Sequence, residues 1–174
     1  MSWSVLRGIV VGALVCAGCT SADAGPDPSD TVPASGVDAN ATVERIVDGD
    51  TIDVVIDGRD ERVRLIGIDT PETKRPDTPV ECFGPEATAH IDALLPTGTP
   101  IRIERDIVGR DHFDRLLGYV YRADDGLFVN VEMIRAGFAQ PLSIPPNETY
   151  RSVFVEAART AERQGVGLWS ACAS

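Results

Sequence analysis

Two short stretches of the sequence place carboxylates where predicted strands begin or end. In the first, Asp48 and Asp50 flank Gly49, and in the second, "RLIGIDTPETKRP", Asp69 and Glu72 follow a buried apolar run. Two neighbouring carboxylates repel each other, so that one of them keeps its proton or the pair holds a cation. Oxygen ligands without histidine or cysteine favour Ca²⁺ or Mg²⁺ over Zn²⁺. The pattern therefore indicates a site for a hard divalent cation.

Arginines accompany both carboxylate stretches. Arg64 lies within the strand that precedes Asp69, and Arg115 opens a later strand after "GRDHFD". Guanidinium groups bind phosphate through paired donors, and a carboxylate such as Glu72 can take a proton from an attacking water. A cation, two arginines and a general base together indicate hydrolysis of a phosphodiester.

Each of these features also has an ordinary structural explanation. Asp-Gly-Asp is a common turn composition, and an arginine in a strand usually faces solvent. Asp-Thr-Pro-Glu suits the entry of a helix, with Thr70 as the cap and Pro71 in the first turn. Only the combination of these features favours a catalytic site.

A three-stranded meander explains how the carboxylates come together. Alternating apolar residues predict strands over 42–47, 51–58 and 62–69, joined by tight turns. The start of the second strand and the end of the third then lie at the same end of the sheet. Asp50 and Asp69 are therefore expected to be neighbours.

The rest of the domain supplies two more strands and three helices. Asn147 is expected to cap the last helix and Gly165 to end it. The predicted elements are a helix over 84–95, strands over 100–107 and 115–123, and helices over 129–139 and 147–165. This order suits an α+β fold, a five-stranded Greek-key OB-fold β-barrel with three helices.

The composition limits how such a site can attract nucleic acid. The chain of 174 residues has 27 acidic and 16 basic side chains. This balance argues against a protein that holds nucleic acid by bulk positive charge. A small basic pocket within an acidic surface remains compatible with it.

The N-terminus is typical of an exported protein. One basic residue, Arg7, precedes an apolar run over 9–17 that is too short to span a bilayer. "CAGC" ends at Cys19 and resembles a lipoprotein signal, which makes 1–18 the signal peptide and Cys19 the lipidated residue. The alternative is a signal peptide over 1–24 cleaved after "ADA".

The two alternatives differ in where the protein resides. With lipidation, the protein is anchored on the outside of the cytoplasmic membrane or in the envelope, and with cleavage after "ADA" it is secreted. Residues 19–41 are rich in Pro, Ser, Ala, Asp and Gly and are expected to form a disordered tether. The globular domain is then 42–174.

The cysteines that remain in an exported domain are Cys82 and Cys172. An even pair in an oxidising compartment favours a disulfide. Metal binding by two isolated cysteines is a weaker alternative, because the chain has only 2 histidines to complete such a site.

Several motifs together resemble the staphylococcal nuclease family over about 42–169. They are "IVDGDTIDV", "VRLIGIDTPETKRP", "FGPEAT", "DRLLGYVY", "VNVEMIRAGFA" and "GLW". The resemblance implies an OB fold with three helices, one bound Ca²⁺ and a monomer. It also implies DNA and RNA as substrates, cleaved at the 5′ P–O bond to leave 3′-phosphates.

The resemblance assigns a role to each charged residue discussed above. Asp50, Asp69 and the backbone carbonyl of Thr70 become calcium ligands, with Asp48 as an outer-shell carboxylate. Glu72 matches the general base, whether it removes the proton or mainly orders the water. Arg64 and Arg115 match the two phosphate-binding arginines.

The sequence departs from the family at two places. His112 and Phe113 replace a lysine and a tyrosine before the second arginine, which removes a phosphate-binding hydroxyl. Residues 141–143, "PLS", replace tyrosines that flank the nucleotide base, so stacking is expected to be lost there. His112 is open to two interpretations, a general acid or an ordinary loop histidine. A rival function is an OB domain that binds nucleic acid without cutting it.

Overall fold

The computed structural model describes residues 36–74 and 79–172. The predicted signal peptide, Cys19 and the tether up to residue 35 lie outside the described residues. None of the helices in the described ranges is long and apolar enough to cross a membrane. The elements are β1 Ala41–Asp48, β2 Thr51–Ile56, β3 Arg59–Leu65, β4 Gly67–Asp69, α1 Gly84–Leu94, β5 Pro100–Glu104, β6 Leu116–Arg122, α2 Val129–Arg135, β7 Gln140–Leu142, α3 Arg151–Gln164 and α4 Leu168–Ala171.

Five strands form a closed barrel in the order β1, β2, β3, β6, β5. Neighbouring strands are antiparallel except for β3 and β6, which run parallel. The order, the closure and the flanking helices confirm the predicted α+β OB barrel. Helix α4, of 4 residues, is added to the three predicted helices within the described part of the chain.

The barrel core follows the predicted alternation in β2 and β3. Ile52, Val54, Val63 and Leu65 have no accessible surface, and their side chains point into the barrel. Burial of such side chains contributes about 1.5–3 kcal/mol each before entropy is counted. The meander is therefore held by its apolar face.

The opposite face of β2 is more buried than predicted. Thr51 and Asp53 are only 2% and 8% exposed, although the sequence predicts a strand with one solvated face. The carboxylate of Asp53 forms ion pairs with Arg45 of β1 and Arg62 of β3. The arginine side chains of the two neighbouring strands cover this face of β2. The alternation of residues within a single strand cannot predict such cover.

The predicted third strand is broken into β3 and β4. Gly67 has a φ of 80°, and a Cβ there would lie 2.0 Å from the ring of Phe154, so only glycine fits. The fully buried Asn130 accepts a hydrogen bond from the Val120 amide and donates one to the Ile66 carbonyl. The break turns β4 out of the barrel to pair with β7, and β4 carries Asp69 to the rim.

Asn147 does not cap the last helix, and the prediction of that cap is wrong. Helix α3 begins at Arg151 after Tyr150, without a side-chain cap. The side chain of Asn147 instead donates through Nδ2 to the Val108 carbonyl and accepts at Oδ1 from the Val108 backbone amide. The side chain therefore stabilises the loop before β6. Gly165 ends α3 in the left-handed conformation, as predicted.

The ordered domain extends into the segment predicted as a tether. The Val37 amide donates to the Ala123 carbonyl. The Asn40 side chain exchanges two hydrogen bonds with the backbone of Ile103. These contacts with β5 and the end of β6 place the start of the domain at or before Val37, rather than at Thr42.

Cys82 and Cys172 form the predicted disulfide. The bond joins the loop before α1 to the residue that follows α4, at a sequence separation of 90 residues. Closing a long loop lowers the entropy of the unfolded chain. The bond therefore connects the residue after α4 to the segment directly before α1.

We expect the Cys82→Ser/Cys172→Ser double variant to lose roughly 2–4 kcal/mol of unfolding free energy, because the unfolded state regains the entropy of the open loop. Urea denaturation followed by circular dichroism measures the difference. Wild-type protein unfolded under reducing conditions serves as the control and should match the variant. Equal midpoints for the oxidised wild type and the variant would contradict the expectation.

Candidate active site

The turn between β1 and β2 forms one wall of the site. Asp48 ends β1, Asp50 directly precedes β2, and the Asp48 carboxylate accepts a hydrogen bond from the Asp50 amide. A Cβ on Gly49 would lie 2.7 Å from the hydroxyl of Thr70, so glycine lets Thr70 approach the turn. The end of β4 is thereby packed against the first carboxylate pair.

Asp50 is the most buried acid of the site, with 7% of its surface exposed. Its Oδ1 accepts from the Thr51 hydroxyl, and its Oδ2 accepts from the amide and hydroxyl of Thr70. Burial raises the pKa of Asp50 to about 6, against the lowering effect of Arg64 and with a further rise from Asp48. Hydrogen bonds and one arginine do not fully offset the loss of water around this carboxylate.

Arg64 bridges the two predicted metal-binding carboxylates. Its Nη2 lies 3.0 Å from Asp50 Oδ2 and 3.3 Å from Asp69 Oδ1. Its Nη1 donates to the carbonyls of Leu65 and Ile68, across the break between β3 and β4. The side chain is 14% exposed. Asp50 and Asp69 therefore meet as predicted, with the guanidinium of Arg64 between them.

Glu72 lies on the loop after β4 and is held from two sides. Its Oε1 accepts hydrogen bonds from the amides of Thr73 and Lys74. Its backbone exchanges bonds with Glu81: the Glu72 amide donates to Glu81 Oε2, and the Glu81 amide donates to the Glu72 carbonyl. Glu81 precedes the disulfide-bonded Cys82, so the loop that carries Glu72 is connected to the chain terminus.

Arg115 is oriented by Asp111, a residue that the sequence reasoning missed. Arg115 Nε donates to Asp111 Oδ2 at 2.7 Å, and the Arg115 amide donates to Asp111 Oδ1 at 3.0 Å. Burial raises the pKa of Asp111, but the bonds from Arg115 and Phe113 outweigh it, and the net pKa lies below the usual value. The signal available in the sequence was the aspartate of the turn segment "GRDHFD", because a turn aspartate commonly accepts hydrogen bonds from backbone amides a few residues ahead.

All of the predicted catalytic and metal-binding residues line one cavity of about 250 Å³. They are Asp48, Asp50, Arg64, Asp69, Thr70, Glu72 and Arg115. Thr51, Pro71 and Glu81 also line it and were not predicted. Five of the lining residues are acids (Asp48, Asp50, Asp69, Glu72 and Glu81) and two are arginines (Arg64 and Arg115). The described wall of the cavity is therefore net negative.

The donor atoms of this cavity suit a hard divalent cation. Asp50 and Asp69 offer carboxylate oxygens and Thr70 offers a backbone carbonyl, the ligand types that Ca²⁺ and Mg²⁺ use. Within residues 36–74 and 79–172, no three acidic, histidine or cysteine side chains form a ready cluster. Solvent oxygens would have to complete the coordination, and a bound cation would compete with Arg64 for both carboxylates.

A second cavity, of about 340 Å³, adjoins the first, because Arg64 and Arg115 line both. Leu142 lines it, from the "PLS" segment where the family resemblance expects a tyrosine. The exposed ring of His112 also lines it, tilted against the ring of Phe113 with 3.7 Å between the ring centres. The described wall of this second cavity, beside the two arginines, is thus mainly aliphatic, and a nucleotide bound there would contact it.

In chelator, we expect the contribution of Asp50 to the unfolding free energy to fall as the pH rises from about 4 to about 6. Unfolded Asp50 loses its proton near 3.8, whereas the folded residue keeps it until about 6. The folded state therefore binds more protons in this window, and Asp50 contributes a loss of at most about 1.4 kcal/mol per pH unit.

Urea titrations of wild type and Asp50→Asn at several pH values measure this effect. Other groups titrate in both proteins, so the difference between the two curves isolates Asp50. The variant should lack the decline that Asp50 causes. Parallel curves for the two proteins would show that the burial of Asp50 does not perturb its ionisation.

Comparison with known proteins supports a specific family. The family model described as staphylococcal nuclease homologue matches residues 62–171. A thermonuclease of Staphylococcus intermedius is 40% identical over 127 residues, covering 73% of this chain and 74% of the relative. A thermonuclease of Staphylococcus hyicus is 35% identical over 128 residues, covering 74% of each chain.

A third relative comes from a different bacterial group. An uncharacterized endonuclease of Escherichia coli O157:H7 is 34% identical over 138 residues, covering 79% of this chain and 82% of the relative. The family model spans more than half of the chain. It covers most of β3 and all of the elements from β4 to α4. The barrel, the cavity and these matches agree, and the chain belongs to the staphylococcal nuclease family.

Proposed function

We propose that the chain is a calcium-dependent endonuclease that hydrolyses DNA and RNA at the 5′ P–O bond and leaves 3′-phosphates. Membership of the family makes it a nuclease, a hydrolase of nucleic acids. The calcium requirement, the bond that is cut and the role of each residue are the parts that we propose.

One observation carries the proposal: a single cavity brings together five acids and two arginines from separate segments. A polyanionic substrate is repelled by such a wall unless a cation neutralises part of it. Oxygen donors from Asp50, Asp69 and Thr70 are suited to Ca²⁺, which accepts irregular coordination more readily than Mg²⁺. When bound, the ion would supply positive charge to the phosphate oxygens and to the water that attacks the phosphorus.

Glu72 is the proposed general base. The Thr73 and Lys74 amides fix its carboxylate through Oε1, and its side chain borders the cavity. A fixed carboxylate can orient a water and take its proton as the oxygen bonds to phosphorus. The P–O5′ bond then breaks, and the 5′-oxygen leaves with the electron pair and takes a proton from solvent.

Arg115 and Arg64 are proposed to bind the phosphate that reacts. Asp111 holds Arg115 by its Nε, and a guanidinium carries two further NH₂ groups that can donate to phosphate oxygens. Arg64 is already paired with Asp50 and Asp69. Its contribution to the phosphate therefore depends on the cation taking over part of that pairing.

We expect cleavage of plasmid DNA and of single-stranded RNA to require Ca²⁺, with little cleavage in Mg²⁺, because the proposed donors suit the larger ion. The measurement is digestion with Ca²⁺, with Mg²⁺ and with chelator, followed by analysis of the product ends. Full activity in excess chelator, or products with 5′-phosphates, would contradict the proposal. Binding without any cleavage in Ca²⁺ would support the rival binding module.

We expect Glu72→Gln and Arg115→Ala to fold normally and to lose activity. Loss of a positioned base typically lowers the rate by 10²–10⁴-fold, and loss of the arginine removes charge stabilisation of the transition state. The double variant should lose less than the product of the two single effects if both residues act on one transition state.

Thermal midpoints and calcium-dependent cleavage rates of the three variants measure these effects. Two surface substitutions serve as controls: Glu86→Gln in the first turn of α1 and Arg159→Ala, 66% exposed on α3. Both controls should cleave as wild type does. Cleavage by a well-folded Glu72→Gln at the wild-type rate would refute the proposed role of Glu72.

A further inference from the structure

An exposed aromatic ring stands beside the active-site cavity. Phe113, in the loop between β5 and β6, is 68% exposed, two residues before Arg115. Single exposed apolar residues are common on protein surfaces and need no function by themselves. The surroundings of Phe113 distinguish it from such residues.

The backbone of Phe113 is fixed by the residue that orients Arg115. Asp111 Oδ1 accepts hydrogen bonds from the amides of both Phe113 and Arg115, at 2.9 and 3.0 Å. The Asp111 amide donates to the Arg115 carbonyl, and Arg110 donates to the Asp114 carbonyl. The ring and the guanidinium therefore belong to one rigid turn, and the guanidinium carbon lies 5.4 Å from the ring centre.

Phe113 also lines a polar groove of about 850 Å³, which we call the outer groove. Its wall includes Asp48, Thr51, Arg62, Arg110, Phe113 and Arg115. Asp48, Thr51 and Arg115 line the active-site cavity as well. A nucleic acid strand that places a phosphate at Arg115 can therefore continue through the outer groove, past the ring of Phe113.

Charge alone gives the outer groove little affinity for a polyanion. Acids outnumber arginines six to four in its described lining. Arg45 and Arg62 are paired with Asp53, and Arg110 is paired with Glu61. Contact with the bases must then supply much of the affinity, and Phe113 is the aromatic side chain that the described lining offers for it.

We propose that Phe113 stacks a nucleobase of a single-stranded substrate and thereby positions the adjacent phosphate on Arg115. Every base has a flat π face, so a stacking ring binds DNA and RNA with little dependence on sequence. Bases in a duplex are already stacked on their neighbours, so the contact favours unpaired strands. This inference rests on the proposed nuclease function and assigns a role to the ring that remains where the family resemblance expects a tyrosine.

The test uses the full chain and a single-stranded oligonucleotide, with kcat and KM measured in Ca²⁺. Phe113→Ala should raise KM about tenfold, which corresponds to about 1.4 kcal/mol and lies within the range for one stacked base. The effect on kcat should be small. Phe113→Trp should restore the wild-type KM. Ile107→Ala is the matched control, because Ile107 is a 74% exposed apolar residue of the same loop, and it should leave KM unchanged.

A second substrate separates stacking from a structural effect of the substitution. It has the same length, with abasic nucleotides on both sides of the central phosphate. On this substrate, wild type and Phe113→Ala should cleave the central bond with equal KM. An unchanged KM for Phe113→Ala on the ordinary strand, or the same increase on the abasic strand, would overturn the inference.

A binding measurement makes the test independent of catalysis. In Ca²⁺, with Glu72→Gln present in both proteins to suppress cleavage, fluorescence anisotropy of a labelled single strand should show about tenfold weaker binding when Phe113 is replaced by Ala. Titration of Phe113→Trp with an unlabelled strand should quench its additional tryptophan emission relative to wild type. Absent cleavage by wild type in Ca²⁺ with intact binding would refute the nuclease proposal alone, whereas equal and measurable binding with and without Phe113→Ala would refute the stacking inference alone.

Discussion

The ion pair between Asp50 and Arg64 connects the separate parts of the site. The two charged groups approach to 3.0 Å, with side chains that are 10% and 14% exposed. Arg64 also donates to the carbonyls of Leu65 and Ile68, and the Asp50 carbonyl accepts from the Leu65 amide. Breaking such a buried pair typically costs about 3–5 kcal/mol, because the remaining charge is left without a partner. The pair therefore fixes the strand break that carries Asp69 to the rim.

This arrangement is not optimal for stability. Burial raises the pKa of Asp50 despite Arg64, which means that the carboxylate remains under-compensated in the absence of a cation. Glu72 and Glu81 bring two more carboxylates to the same small cavity. An under-compensated cluster of oxygen donors is a poor structural element but a good place for a divalent cation. The same crowded carboxylates thus lower the stability of the fold and provide the proposed cation site.

The sequence predicts the parts of this molecule that depend on local periodicity. The alternation in β2 and β3 places Asp50 and Asp69 at one end of the sheet, and the structure brings them to the same guanidinium. The break at Gly67 could not be predicted in this way, because it depends on the ring of Phe154, far away in the chain. The groups that hold Glu72 and Arg115 lie nearby in the chain, at Thr73, Lys74 and Asp111, but they belong to loops and carry no periodic signal.

Asn147 shows the same limit in a single side chain. Its position before a helical pattern predicts a cap, yet its amide pairs with the Val108 backbone, 39 residues earlier. An isolated cap is worth about 1 kcal/mol. Two hydrogen bonds to the Val108 backbone, at about 0.5–1.5 kcal/mol each, are together worth at least as much. The tertiary contact therefore prevails over the local preference.

The site has two parts, and the chain holds each of them in a different way. Asp48 and Arg64 lie on barrel strands and Asp50 lies in the turn between β1 and β2, so their geometry follows from the closure of the barrel and the burial of its core. Phe113 and Arg115 depend on one turn around Asp111. A change in that turn alters what lies beside the phosphate without disturbing the barrel. Substitution of Phe113 within this turn, with Asp111 and Arg115 kept, thus allows substrate preference to change while the chemistry is kept.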